Sequence, residues 1–298
     1  MASKKYRKVY GIKTKFRIMP GAIGYYKIFD EQQAVAEIEE IIVGNKTFKE
    51  SDYLECRVMN LLIQTFYNNS MFGEVFEMLK NINVSIFDCF IYMQSHPELW
   101  SERIKKIIKN FEKETTEDLF DSWQEAHDFV LDPTVINQYI GGDMGTNELL
   151  VSRALLFNEF QDVSDLMFDS VKGSLEEKNL LTQECENYLF ELKSFLTMQK
   201  KDPLIKTKTV KSALFKYDFE EIRKANYHID PNSLPELNIP LKFDFFHDEN
   251  QQKHISNAIK LYSNHTNSMG KIFNNSNMRL IFRNFIKSND KIKSNTEI

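Results

Sequence analysis

Residues 13–31 read KTKFRIMPGAIGYYKIFDE, a stretch that combines short runs of β-branched and aromatic residues with breaks at proline and glycine. The runs TKFRIMP and GYYKIF are bounded by one proline and two glycines, which is typical of strands that end in turns. The next segment, AVAEIEEIIVGN (34–45), fits either a helix or a strand. We therefore predict a small β-rich segment over residues 1–50.

The rest of the chain has the spacing of helices. Only 10 of the 298 residues are glycine and 7 are proline, which favours long helices over a loop-rich sandwich. Beyond residue 52, apolar residues recur at steps of three and four, the period of a helix with one buried face. Such stripes include Leu54, Val58, Leu61, Leu62 and Phe66, and later Leu181, Cys185, Tyr188, Leu192 and Phe195. The sequence predicts a mostly α protein of the α+β class.

Helix-capping patterns and runs of alternating apolar residues predict further helices and strands. Thr115 with Asp118, and Ser174 with Glu177, predict two helix starts, and Asp248 with Gln251 predicts a third. The alternating runs SALFKYDF and PLKFDFF predict a few strands near 208–246.

The composition changes at MQKKDPLIKTKTVK (198–211), which is basic and polar. We take this change as the main internal boundary. The predicted organisation is a helical domain over 51–200, a small α/β part over 205–287 and a flexible tail over 288–298.

Charge and cysteine content limit the function classes. The net charge is −5 and the pI is about 5.8, so a nucleic-acid partner is disfavoured. The basic run KKYRKVYGIKTKFR, with its interleaved tyrosines, could bind phosphates or RNA, although a solvated edge strand explains it better. No run of 18 uncharged apolar residues predicts a membrane span. Three widely spaced cysteines, Cys56, Cys89 and Cys185, predict buried free thiols in a cytoplasmic protein.

The glycine cluster GGDMGTN (141–147) precedes a predicted helix, where exposed amides can hold an anion. It lacks the Lys-Ser/Thr of a P-loop, and a tight turn between helices is the favoured alternative. The candidate ligand-binding residues are Gly141, Gly142, Gly145, Asn147 and Arg153.

Two histidines flank acidic residues in FFHDENQQKHI (245–255). A metal site would pair His247 and His254 with a carboxylate, but the spacing matches no fixed ligand pattern. Asp248 is better explained as a helix cap. We assign no metal site and no catalytic residue.

The segments KKYRKVYGIKTKFRIMPGAIGYYKIFDE and AEIEEIIVGNKTFKESDYLECRVMNLLI resemble the region after the catalytic core in radical SAM proteins of the B12-binding type. The matching residues are Tyr6-Arg7, Tyr10-Gly11, Glu37 to Val43, Asp52-Tyr53 and Cys56-Arg57. Those large cytosolic enzymes occur in gene clusters for surface polysaccharides and natural products. They bind a [4Fe–4S] cluster and S-adenosylmethionine through CxxxCxxC, and cobalamin through an N-terminal domain.

Neither the CxxxCxxC motif nor the cobalamin domain is in this sequence. The resemblance therefore implies the C-terminal part of such an enzyme, which binds none of these cofactors alone. It implies a non-catalytic substrate- or partner-binding module that acts with a separate radical SAM/cobalamin polypeptide, or a remnant of one. An unpaired strand over 13–19 would then seek a partner sheet. The alternative is an independent soluble enzyme, such as a transferase acting on a nucleotide-linked sugar.

Overall fold

The computed structural model of the chain describes residues 3–141, 144–145, 147–204, 210–262 and 268–288. In this part the chain is mostly α with some β, which confirms the predicted fold class. The helices are Lys4–Tyr10 (α1), Glu50–Phe66 (α2), Gly73–Asn81 (α3), Ile86–Ser95 (α4), Glu102–Glu117 (α5), Trp123–Val130 (α6), Pro133–Gly141 (α7), Glu148–Asn158 (α8), Phe160–Glu177 (α9), Gln183–Lys200 (α10), Phe219–Lys224 (α11), Glu249–Tyr262 (α12) and Ser268–Asn275 (α13). The strands are Lys13–Ile28 (β1), Glu31–Gly44 (β2), Lys211–Phe215 (β3), Leu241–Phe246 (β4) and Asn284–Lys287 (β5).

The chain forms two compact units, and each unit is built from two separate segments. The first unit comprises Met1–Leu61 and Lys106–Arg153, and the second comprises Leu62–Lys105 and Ala154–Ile298. Of the predicted tail, residues 289–298 lie outside the described part of the chain.

A long antiparallel hairpin dominates the first unit. Strand β1 pairs with β2 from Lys13↔Gly44 to Ile28↔Glu31, so the expectation of an unpaired strand over 13–19 is wrong. The connecting residues Phe29 and Asp30 have φ of 49° and 68°, the positive values that a tight two-residue turn of type I′ requires. The ambiguous segment 34–45 is therefore a strand up to Gly44.

One face of the hairpin packs against α6 and α7. Ile18 is buried there with Ala126 and Val130. The backbone of Phe16 also exchanges two hydrogen bonds with Phe120, of 2.9 and 2.8 Å. This bridge fixes the chain after α5 against β1.

The helix start predicted at Thr115 is wrong. Thr115 is buried inside α5, and the next helix begins after Ser122, whose Oγ accepts a hydrogen bond from the Glu125 amide at 3.1 Å. Thr and Ser favour caps but also occur inside helices when an apolar stripe continues past them, and Phe111 on the same stripe is fully buried.

Aromatic rings fill the core of the second unit beside its three-stranded sheet of order β3-β4-β5. Phe195 on α10 lies at the centre of this core. Its ring contacts those of Phe215, Phe219, Phe243, Phe245 and Phe285, with centroids 4.1–6.0 Å apart. Strands β3 and β4 confirm the prediction of strands near 208–246, whereas β5 was not predicted.

The helix start predicted at Asp248 is confirmed and the one predicted at Ser174 is wrong. Asp248 and Gln251 form a reciprocal capping box at α12, with backbone-to-side-chain hydrogen bonds of 2.8 and 3.1 Å, which confirms that prediction. Ser174 instead lies buried within α9. Helix α10 begins after Thr182, whose Oγ1 accepts from the Cys185 amide at 3.1 Å.

The three cysteines are free thiols, and two of them are buried as predicted. Burial raises the pKa of Cys89 and of Cys185 to about 11. Cys56 is exposed, which corrects the prediction for this residue. It lies two positions before the buried Val58, and two residues turn a helix by about 200°, so its side chain points away from the buried face.

An ion pair fixes α1 against the hairpin and makes the first unit sensitive to acid. The Arg7 guanidinium forms a two-pronged hydrogen bond with the Glu40 carboxylate. This contact, with a second hydrogen bond from Thr14, lowers the pKa of Glu40 to about 2. A lowered carboxyl pKa stabilises the folded state above its unfolded pKa of 4.5, and the stabilisation is lost as the pH falls toward 2.

Glu40→Gln is therefore expected to flatten the loss of stability between about pH 5 and pH 2. The measurement is urea unfolding at a series of pH values. Glu37→Gln, an exposed change on the same strand, is the control and should keep the wild-type pH dependence. An identical pH dependence for Glu40→Gln and wild type would contradict this role of the ion pair.

Candidate functional site

The glycine-rich turn lies between α7 and α8. Gly141 is the last residue of α7, and the Asn147 side chain accepts a hydrogen bond from the Leu150 amide at 2.9 Å, which caps α8. Gly145 has φ of +67°, and a Cβ there would lie 2.2 Å from the Tyr139 ring. Gly142 lies outside the described residues. The described contacts build the turn, and ligand binding at these positions stays a prediction.

A network of ion pairs lies beside this turn in the first unit. Glu148, the first residue of α8, is buried and pairs with Arg57, and Arg17 reaches it at 3.5 Å. Arg17 also binds Glu39 at 2.5 Å. Two arginines face two glutamates, so the network is balanced in charge. Arg153 is half-buried on α8, and burial lowers its pKa.

Gly145→Ala is expected to destabilise the protein by roughly 2–4 kcal/mol, because the methyl group adds a clash with Tyr139 to the cost of a positive φ. Gly21→Ala is the matched control. Its φ is +78° but nothing lies within 4 Å of an added Cβ, so it should cost only about 1–2 kcal/mol. Urea unfolding measures both. Equal losses would show that Tyr139 does not constrain the turn.

A polar cleft of about 640 Å³ lies within the second unit. Its walls come from α3, the end of α10, the end of α11 with the residues after it, and the chain that leads into β5. The acidic and basic side chains that line it are Glu74, Glu77, Lys200, Arg223, His228, Arg279 and Arg283. None of these residues was singled out from the sequence, because they come from segments far apart in the chain.

Lys200 is fully enclosed at the inner wall of the cleft. Its Nζ donates to the Ser70 carbonyl at 3.2 Å, to the Met71 carbonyl at 2.8 Å and to Glu74 Oε2 at 2.6 Å. An ammonium has three donors, and each finds an acceptor here. Burial lowers the pKa of Lys200 and the Glu74 carboxylate opposes this shift. Lys200 thus serves as a charged anchor.

Arg283 has a similar role at the neighbouring wall. Its buried guanidinium donates to the carbonyls of Met198, Lys201 and Asp202 at 3.2, 2.7 and 3.1 Å. These carbonyls belong to the C-terminal end of α10 and the residues just after it, where backbone acceptors lack partners within the helix. Arg283 therefore caps α10 and fixes the chain that enters β5.

Two other guanidinium groups remain available at the cleft. The Arg223 Cζ lies 4.2 Å from the centre of the Phe285 ring. Its Nη2 is 3.9 Å from Glu220 Oε1, which is too far for a hydrogen bond. Arg279 is exposed, and its guanidinium has no hydrogen-bond or ion-pair partner among the described residues. A guanidinium that lies over a ring face can still donate hydrogen bonds through its N–H groups.

A histidine–carboxylate pair lies at the rim. His228 Nε2 and Glu77 Oε2 are 2.6 Å apart, and Lys80 approaches Glu77 Oε1 at 2.6 Å. The hydrogen bonds from Lys80 and His228 lower the pKa of Glu77. The carboxylate is therefore ionised at neutral pH and orients the imidazole.

Strained backbone gathers at this cleft. Ser70, Asn226 and Tyr227 have φ of 56°, 52° and 58°, and all three line it. Left-handed conformations cost of order 1 kcal/mol in residues other than glycine, and they tend to occur at functional sites. In Tyr227, burial and then the Glu74 charge raise the pKa above its usual value.

The histidines considered as metal ligands have other surroundings. His247 Nε2 lies 2.8 Å from the Ile281 carbonyl oxygen, and Asp248 caps α12. Across the described ranges, no three His, Cys, Asp or Glu side chains come together in a way that could hold a metal ion.

Lys200→Met is expected to destabilise the protein by about 3 kcal/mol, because the partly buried Glu74 carboxylate loses its counter-charge and the Ser70 and Met71 carbonyls lose their donor. The double variant Lys200→Met/Glu74→Leu should recover at least about 1 kcal/mol. Lys193→Met is the control, since Lys193 on the same helix pairs with Asp165 near the surface and should cost less than about 1 kcal/mol. Chemical unfolding measures all three. A Lys200→Met variant as stable as the Lys193→Met control would refute the anchor role.

The comparisons with protein families and with curated protein sequences identify no relative of the chain. No model of a protein family matches the chain, and no curated protein sequence matches it significantly. The resemblance to radical SAM proteins of the B12-binding type therefore stays a prediction. Within the described residues, no helix is long and apolar enough to cross a membrane.

Proposed function

We propose that the chain is a non-catalytic substrate-binding module whose ligand occupies the cleft of the second unit. The observation that carries this proposal is the division of charged groups in the cleft. The inner ones, Lys200 and Arg283, are held by protein acceptors. Arg223 and Arg279 are exposed, and a 3.9 Å ion pair of Arg223 with Glu220 is the one polar side-chain contact of these two guanidinium groups among the described residues. Such an arrangement suits binding, because fixed walls keep the shape of the cleft while the exposed guanidinium groups can donate to a ligand.

The hydrogen bonds at the inner wall argue against a catalytic role for Lys200 and Glu74. A lysine acts as a nucleophile or base only when its amine is neutral and has a free lone pair. The Lys200 ammonium donates to three acceptors, and Glu74, which could act as a base, accepts one of those bonds. Both groups support the wall.

The resemblance, which is most specific over about residues 4–66, supports a partner for this module. We propose that it acts in trans with a separate cytoplasmic polypeptide that carries the [4Fe–4S] cluster, S-adenosylmethionine and cobalamin. In this proposal the module presents the substrate and the partner performs the chemistry. The buried, un-ionised thiols of Cys89 and Cys185 are compatible with the reducing cytoplasm.

A second candidate function is an independent enzyme, such as a transferase acting on a nucleotide-linked sugar. The pair of His228 and Glu77 favours it, because a histidine oriented by a carboxylate can accept a proton from an attacking hydroxyl. In that case the module would need no partner, and His228 would contact the substrate.

Affinity purification of the tagged chain from native cells distinguishes the two candidates. We expect a second polypeptide in the eluate, together with iron and cobalamin measured by elemental analysis and absorption spectroscopy. The tagged chain eluting by itself, as a folded monomer without iron or cobalamin, would contradict the first proposal and favour the second. A matched eluate from cells with the tag alone controls for adventitious capture.

A further inference from the structure

We infer that the cleft of the second unit takes a phosphate ester that carries hydroxyl groups, such as a sugar phosphate. In this assignment the phosphate lies at Arg223 and Arg279, and a hydroxyl donates to Gln199 Oε1. The inference rests on the proposed binding function and names the class of its ligand.

The charge of the cleft selects an anion. Four cationic side chains and two carboxylates line it, which leaves an excess of two positive charges in a chain whose net charge is −5. Both carboxylates already have cationic partners, Glu74 in Lys200 and Glu77 in Lys80. The excess charge therefore belongs to the arginines, of which Arg223 has one distant carboxylate partner, Glu220 at 3.9 Å, and it attracts anions into the cleft.

The shape of the free groups favours phosphate over carboxylate. Each guanidinium presents two parallel N–H donors, a fork that fits an oxyanion. Arg223 lies over the Phe285 ring, with its Cζ 4.2 Å from the ring centre, and Arg279 lines the same cleft. A phosphate monoester has three terminal oxygens and a charge near −2 at neutral pH, so it can accept hydrogen bonds from both guanidinium groups. A carboxylate has two oxygens and can pair fully with one guanidinium group.

The size and polarity of the cleft indicate the rest of the ligand. A volume of about 640 Å³ falls in the range of small-molecule sites and exceeds what a phosphate alone needs. Gln199 lines the cleft, and its Oε1 is buried without a hydrogen-bond donor in the described part of the chain. A buried acceptor without a partner is costly, so a ligand hydroxyl that donates there would be favoured.

The aromatic rings of the cleft argue against a stacked base. Lys200 lies 5.1 Å from the centre of the Phe282 ring and the Arg223 guanidinium lies 4.2 Å above Phe285. Phe282, Phe285 and Tyr227, the three aromatic residues that line the cleft, are all buried, so none of them presents an open ring face as a platform for a nucleobase. The remaining lining groups include Ser70, Asn226 and Asn284, which suit a sugar or polyol.

Isothermal titration calorimetry of the full chain tests this class of ligand. The probes are α-D-glucose 1-phosphate, ribose 5-phosphate, inorganic phosphate and glucuronate, the last as the matched sugar carboxylate. We expect both sugar phosphates to bind at least about tenfold more tightly than glucuronate. Their affinity should fall as sodium chloride is raised, because the contact is charged.

Variants locate the contact. Arg279→Gln should weaken both sugar phosphates and inorganic phosphate about tenfold, with unchanged thermal unfolding because the side chain is exposed. Gln199→Leu should weaken the sugar phosphates and leave inorganic phosphate unchanged. Arg103→Gln is the control, because Arg103 is an exposed arginine of the same unit that pairs with Glu159, and it should bind every probe like wild type.

Three results would overturn the inference. They are no binding of any phosphate probe, equal affinities for glucuronate and the sugar phosphates, or wild-type affinity in Arg279→Gln. Equal affinities for glucuronate and the sugar phosphates, all lowered in Arg279→Gln, would leave the proposed binding function intact and exclude only the phosphate class. If the affinity purification finds no partner polypeptide, the proposed partner is contradicted and the inference about the ligand class is unaffected.

Discussion

The buried ammonium of Lys200 is the interaction on which the second unit depends. It joins the last turn of α10 to the Ser70 and Met71 carbonyls and to Glu74 on α3. The same helix carries Phe195, around which the aromatic core is packed. A charge inside a protein is tolerated only with full coordination, so the position of this ammonium also fixes the surrounding backbone. The inner wall of the cleft follows from that constraint.

The cleft then combines fixed walls with free donors. Arg283 repeats the principle of Lys200, because its guanidinium satisfies three carbonyls at the end of α10. Arg223 is oriented by a ring and Arg279 is exposed, so their N–H groups remain for a ligand. Three residues with left-handed backbone line the same cleft, a cost that the neighbouring packing offsets. Arg223, which is positioned by the Phe285 ring, loses less conformational entropy on binding an anion than an unrestrained arginine would.

Sequence patterns predicted those parts of the fold that depend on local chemistry. The capping box of Asp248 and Gln251 was found because both partners lie three residues apart, and strands β3 and β4 were found from alternation. The hairpin was missed because its turn is Phe29-Asp30 rather than the Asn-Gly pair that usually marks such turns. The start predicted at Ser174 failed because a buried serine inside a helix has the same local pattern as a cap.

The candidate site itself could not be predicted in the same way. Its residues come from separated segments, and periodicity carries no information about which distant segments meet. Titration of the folded chain with ribose 5-phosphate, followed by NMR of the arginine Nε–Hε groups, tests the central claim that this cleft is a preformed anion site. We predict shifts at Arg223 and Arg279 and none at Arg57 or Arg103. Shifts confined to other arginines, or none at saturation, would contradict it.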